Sequence, residues 1–156
     1  MKKGVFLLLP AVSLLVAADQ STELQAGQWL ESFIAVSANH NGKKASNDDK
    51  AEATEAKKIC ISPKQAGDPV EYFGKYWQHC TINKKSFQDG RIDVAAFCKD
   101  GERTDSQADI YLSGTYGPKG YKIDAQFIGL DRGQNANIKA ILSGEYLGPC
   151  DGTEEN

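Results

Sequence analysis

The chain has 156 residues, 40% of them hydrophobic, and a formal net charge of −3. That length suits one packed core. A mildly acidic chain without a basic cluster argues against nucleic acid and an anionic membrane surface as partners. Fifteen glycines, with Ile, Val, Tyr, Phe and Thr in short alternating runs, favour strands over helices.

Lys2 and Lys3 give a positive start, and Val5 to Val16 is apolar apart from Ser13. Val16-Ala17-Ala18 then offers the small residues a signal peptidase requires, so residues 1–18 read as a secretory signal peptide cleaved near Ala18. The run falls short of the about 20 apolar residues that cross a bilayer, and Pro10 interrupts it. No stable membrane anchor is expected, and no Cys near the cleavage point suggests a lipoprotein. Cleavage leaves 138 residues, with both signal lysines gone and the net charge at −5.

The mature chain, 19–150, reads as a single β domain followed by an acidic tail at 151–156. Gln28 to Ala38 alternates as a strand, with Trp29, Phe33 and Ala35 on one side and Leu30, Ile34 and Val36 on the other. Both sides are partly apolar, which predicts a strand covered on each face. A polar insert over 39–57 has no large apolar residue, so it cannot offset its ordering entropy and reads as a solvated loop.

Ile59 to Ile61 is a short strand carrying Cys60. Ser62-Pro63-Lys64-Gln65 starts one short helix: Ser caps, Pro occupies the first turn and Gln reaches back. Gly67 and Pro69 interrupt it, with a restart after Asp68. Val70, Phe73, Tyr76 and Trp77 follow at helical spacing. Such a stripe pins a helix onto a core, and this is the favoured reading. The competing one makes Phe73, Tyr76 and Trp77 a platform facing a ligand.

From His79 the chain reads as an antiparallel meander. Cys80 to Ser86 and Arg91 to Cys98 flank a Gln-Asp-Gly turn. Ile110, Leu112 and Tyr116 share one face. So do Tyr121, Ile123, Ala125 and Phe127, and then Ile138, Ala140, Leu142 and Tyr146. Glycine-bearing turns separate these runs. The fold class is therefore mainly β: a meander of about six to seven strands curled into a sandwich or partial barrel.

Four cysteines in an exported domain imply two disulfides. If Gln88, Asp89 and Gly90 form a three-residue loop, Lys85 faces Asp93 and Cys80 lands opposite Cys98. A two-residue loop would instead set Cys80 against Lys99. The pairing Cys80–Cys98 leaves Cys60–Cys150.

The order of Ala26-Gly27-Gln28-Trp29, Cys60-Ile61-Ser62-Pro63-Lys64-Gln65, the hairpin from Cys80 to Cys98 and the closing Gly148-Pro149-Cys150 resembles the domain of unknown function 3617 family of exported bacterial proteins. The resemblance runs from about Ala26 to Cys150. It implies a Gram-negative envelope protein with this four-cysteine layout, and it implies no activity. The long charged insert departs from the more compact members of that family.

Chemistry is sparse. His40 and His79 have no visible partner for general base work. There is no nucleophile elbow, no metalloprotease helix and no phosphate loop. No metal or cofactor is expected, and the catalytic residues are unknown. Asp100, Glu102 and Asp105, like Asp131 with Asn135 and Asn137, lack the ligand density of a calcium loop and read as turns. The leading expectation is a periplasmic or secreted, non-enzymatic domain that binds an unknown small molecule or an envelope protein. A carboxylate-based hydrolase acting on glycans is one alternative; an enzyme inhibitor presenting a loop is another.

Overall fold

The computed structural model describes residues 22–44, 56–99 and 105–153. The expected signal segment, the middle of the insert, Asp100 with Glu102, and the last three residues lie outside them. The described chain is one antiparallel sheet with two short helices on one face. The strands are β1 (Gly27–His40), β2 (Lys43–Lys44), β3 (Lys57–Ile61), β4 (Cys80–Gln88), β5 (Arg91–Lys99), β6 (Gln107–Gly117), β7 (Gly120–Asp131) and β8 (Gln134–Gly148). Helices α1 (Pro63–Gly67) and α2 (Pro69–Gly74) lie between β3 and β4.

The spatial order is β2-β1-β8-β7-β6-β5-β4, with β3 also paired to β1. From β4 to β8 this is the expected meander. The exception is β1, which pairs with β8 and closes the sheet at the strand that ends the domain.

The sheet curls because the helices demand it. Side chains on and just after α2 reach Phe87 on β4, Tyr121 on β7 and Glu31 on β1. In a flat sheet β1 and β4 would stand roughly 24 Å apart, five strand spacings. One six-residue helix touches both, so the sheet wraps around it as a partial barrel.

The inner face carries the core. Ile92, Val94, Ala96, Ile110, Leu112, Tyr121, Ile123, Ala125, Ala140 and Leu142 are buried in the alternation read from the sequence. Gly144 breaks that series on β8, because a Cβ there would stand 2.2 Å from the Tyr121 ring.

Both helix starts follow from local chemistry. The Ser62 side chain accepts from Gln65 N, and the Ser62 backbone N–H donates to the Gln65 side chain at 3.0 Å, a reciprocal cap with Pro63 in the first turn. Asp68 ends α1 and caps α2 by accepting from Glu71 N. The interruption at Gly67 to Pro69 thus gives two helices where the spacing suggested a broken single one.

Both disulfides form as expected, Cys60–Cys150 and Cys80–Cys98. The route to the second differs. The turn after β4 is the two-residue form, Gln88 opposite Arg91, with Asp89 and Gly90 at φ of 50° and 69°. The extra residue lies instead at Asn83, where the register shifts and Cys80 comes opposite Cys98. Lys85 consequently faces Val94, and it is Lys84 that meets Asp93, at 2.5 Å.

Two further expectations change. Ile34 and Val36 are exposed, so among the described residues β1 is covered on one face alone, and the outer side of the sheet is open. The polar insert is structured at its ends: Asn41 and Gly42 make a tight turn into β2, and Lys57 already pairs with Glu31. Asn-Gly is a strong hairpin signal, and its two positive φ angles match the twist of the flanking strands.

Candidate functional site

The polar chemistry of the covered face gathers on Glu31. Alternation along β1 turns Glu31 inward between Trp29 and Phe33, a charged residue in an apolar row. That misplacement was the available signal, and the reading of the strand passed over it. Its carboxylate Oε2 accepts from the hydroxyls of Tyr72 and Tyr76 at 2.8 Å and of Tyr121 at 2.5 Å. Lys75 Nζ donates to Oε2 at 3.0 Å and to Oε1 at 3.3 Å. The carboxylate side chain is 17% exposed and the lysine 34%.

Burial pushes the Glu31 carboxyl upward, but the hydrogen bond from Tyr121, the Lys75 charge and the bonds from Lys75 and Tyr76 outweigh it. The net shift lies below the ordinary value of 4.5. Burial and the neighbouring carboxylate push the Tyr72, Tyr76 and Tyr121 phenols well up, so they remain proton donors. The cluster is an ionised carboxylate clamped by neutral phenols. It ties α2 and its exit turn to β1 and β7.

The three aromatics singled out by spacing divide between core and cluster. Phe73 is fully buried, 5.2 Å from the Tyr121 ring and 6.3 Å from Phe87. Trp77 is buried beside Phe87. Tyr76 is half-buried and spends its hydroxyl on Glu31. Among the described residues every buried side-chain polar atom has a partner, and no group of three His, Cys, Asp or Glu gathers as a metal site. His40 lies 3.8 Å from Asp131 at the β7–β8 end, and His79 is exposed beside Cys80; the two share no site.

The outer face carries the remaining surface chemistry. Ile34 (42% exposed), Val36 (59%), Tyr111 (47%) and Ile128 (40%) all point to it. A shallow groove of about 360 Å³ is lined by Val36, Tyr111, Ile141, Gln126, Lys139 and Asp124 among others. A second, of about 470 Å³, holds Asp93, Asp124 and Arg91. Asp93 and Asp124 each face Ser113 from opposite sides, which sets their backbones about 9.5 Å apart. Asp93 is bound to Lys84, and both aspartates stand exposed rather than in the apolar pocket that holds a glycosidase's general acid.

No helix among the described residues is long and apolar enough to cross a membrane. No curated protein and no solved structure matches the chain. The family model described as "Protein of unknown function (DUF3617)" matches residues 24–150, from the buried Leu24 to the second cysteine of the Cys60–Cys150 staple, and the chain belongs to that family.

Proposed function

We propose that the chain is exported through its N-terminal signal and acts in the envelope as a non-catalytic interaction domain. Its outer sheet face meets an apolar patch of another envelope protein. One observation carries this reading: of the six large apolar side chains left open among the described residues, four, Ile34, Val36, Tyr111 and Ile128, share that single face. The covered face supports it by contrast, since aromatic packing fills it. Two disulfides suit an oxidising compartment and hold the sheet rigid for display.

Native mass spectrometry of the protein purified from its own periplasm tests the reading, with the variant Val36→Lys/Tyr111→Lys in parallel. A partner retained by the natural protein and lost by the variant is the expected result. A bare monomer, or a partner held equally by both, overturns it.

A further inference from the structure

Lys75 sits in surroundings that look built for an ammonium group rather than for packing. It follows α2, and its ammonium reaches both oxygens of Glu31 and the Tyr72 hydroxyl oxygen at 3.3 Å. The same nitrogen lies 4.3 Å from the centre of the Tyr72 ring and 5.0 Å from that of Tyr76. A carboxylate, a phenol oxygen and two aromatic rings around one nitrogen make a cation site by their combined electrostatics.

The walls of this site do not depend on Lys75. Tyr72 is buried on α2 with its ring against Phe73 and Tyr121. Glu31 is fixed on β1 and held by three phenols. Lys75, by contrast, is tethered by a flexible four-carbon stem from an exposed turn and can extend into water.

We propose that Glu31, Tyr72 and Tyr76 form a binding site for a primary ammonium group, filled in the free protein by Lys75 as a built-in competitor. This goes beyond the outer-face reading and is independent of it. The ligand class follows from the contacts. Three N–H donors are matched by three acceptors: Glu31 Oε1, Glu31 Oε2 and the Tyr72 oxygen. A quaternary ammonium has no N–H and holds its nitrogen farther from those oxygens, so it is discriminated against. The group can arrive on a small free amine or on a lysine side chain of another chain.

The test uses the mature protein and Lys75→Ala, melted in methylammonium chloride, tetramethylammonium chloride and sodium chloride at equal ionic strength. Methylammonium should raise the melting temperature of Lys75→Ala by about 4–6 °C at ten times its Kd. The natural protein should rise less, because Lys75 competes, and tetramethylammonium should act no differently from sodium. Nα-acetyl-lysine-N-methylamide, as a further arm, separates the sources: it shifts the melt if the site admits a chain-borne amine and not if it admits small free amines alone.

A measurement on the natural protein stands apart from the variant's folding. Excess methylammonium should move the Lys75 side-chain NMR signals toward those of free lysine. Equal shifts in all three salts, equal shifts in the two proteins, or Lys75 signals that stay in place would overturn the site.

Discussion

Cys80 and Cys98 lie directly opposite each other across β4 and β5 because one residue between them and the turn, Asn83, has no partner. From Gln88 back to Lys84 the hairpin keeps the register set by its two-residue turn. That register would place Cys80 against Lys99. The bulge absorbs one residue and returns Ile82 to Ala96 and Cys80 to Cys98. The same device helps to guard an edge. β4 ends the sheet, and a bulge with an inward-facing Lys85 makes a poor template for pairing with another chain.

Deleting Asn83 should therefore keep the disulfide. Ile82 would move into the vacated place, still opposite Ala96, and Cys80 would remain opposite Cys98 in a regular ladder. Non-reducing peptide mapping should return the Cys80–Cys98 peptide, with a stability change within about 1 kcal/mol. Loss of that peptide would mean that the bulge is not what sets the register.

Two turns of one type offer a paired test. Gly90 and Gly133 have similar φ, 69° and 75°, but a Cβ on Gly90 would stand 2.7 Å from the Tyr116 carbonyl oxygen, whereas Gly133 has open space. Alanine at either position takes the left-handed penalty of about 1–2 kcal/mol. Gly90→Ala must also push back the Tyr116 carbonyl, and Tyr116 N donates to Gly90 O at 2.7 Å. It should cost about 1–2 kcal/mol more than Gly133→Ala by urea denaturation. Equal costs would show that the carbonyl yields freely.

Much of the sheet was legible because period-two alternation is a local signal. The inner rows of β5 to β8 and the Ser62 cap were read in place from their own residues. Three things were not. The bulge at Asn83 is fixed by the crosslink and by the turn together, and either constraint alone admits another register. The open outer face of β1 was missed because Ile34 and Val36 look like core side chains, and only the lack of a second layer among the described residues exposes them. The Glu31 cluster joins β1, α2 with its exit turn, and β7, so no single stretch displays it, although the acid's inward position in its strand was visible.

The proposed export makes a prediction at the N-terminus. The mature protein should begin at or near Asp19, which intact mass after periplasmic expression would establish. A chain that retains its first 18 residues and fractionates with membranes would overturn export with cleavage and release.

Glu31→Gln should destabilise the fold, with a characteristic pH dependence. The glutamine keeps the shape but loses the charge that three phenols and Lys75 address, at a cost of about 1–3 kcal/mol at neutral pH. The natural Glu31 carboxyl titrates below its ordinary value of 4.5 in the folded protein, because hydrogen bonds from Tyr121 and its neighbours and the Lys75 charge outweigh its burial. A folded-state value lower than the unfolded one means that the unfolded chain takes up the proton first as pH falls. The stabilisation from this group is therefore complete above about pH 4.5 and drains away below it, through the folded value. Glutamine has no such step. The stability gap between the natural protein and Glu31→Gln should be constant from pH 8 to 5 and should narrow as pH falls toward 3, measured by urea denaturation at each pH. A gap that stays constant to pH 3 would mean that the carboxylate charge contributes nothing to holding α2 on the sheet.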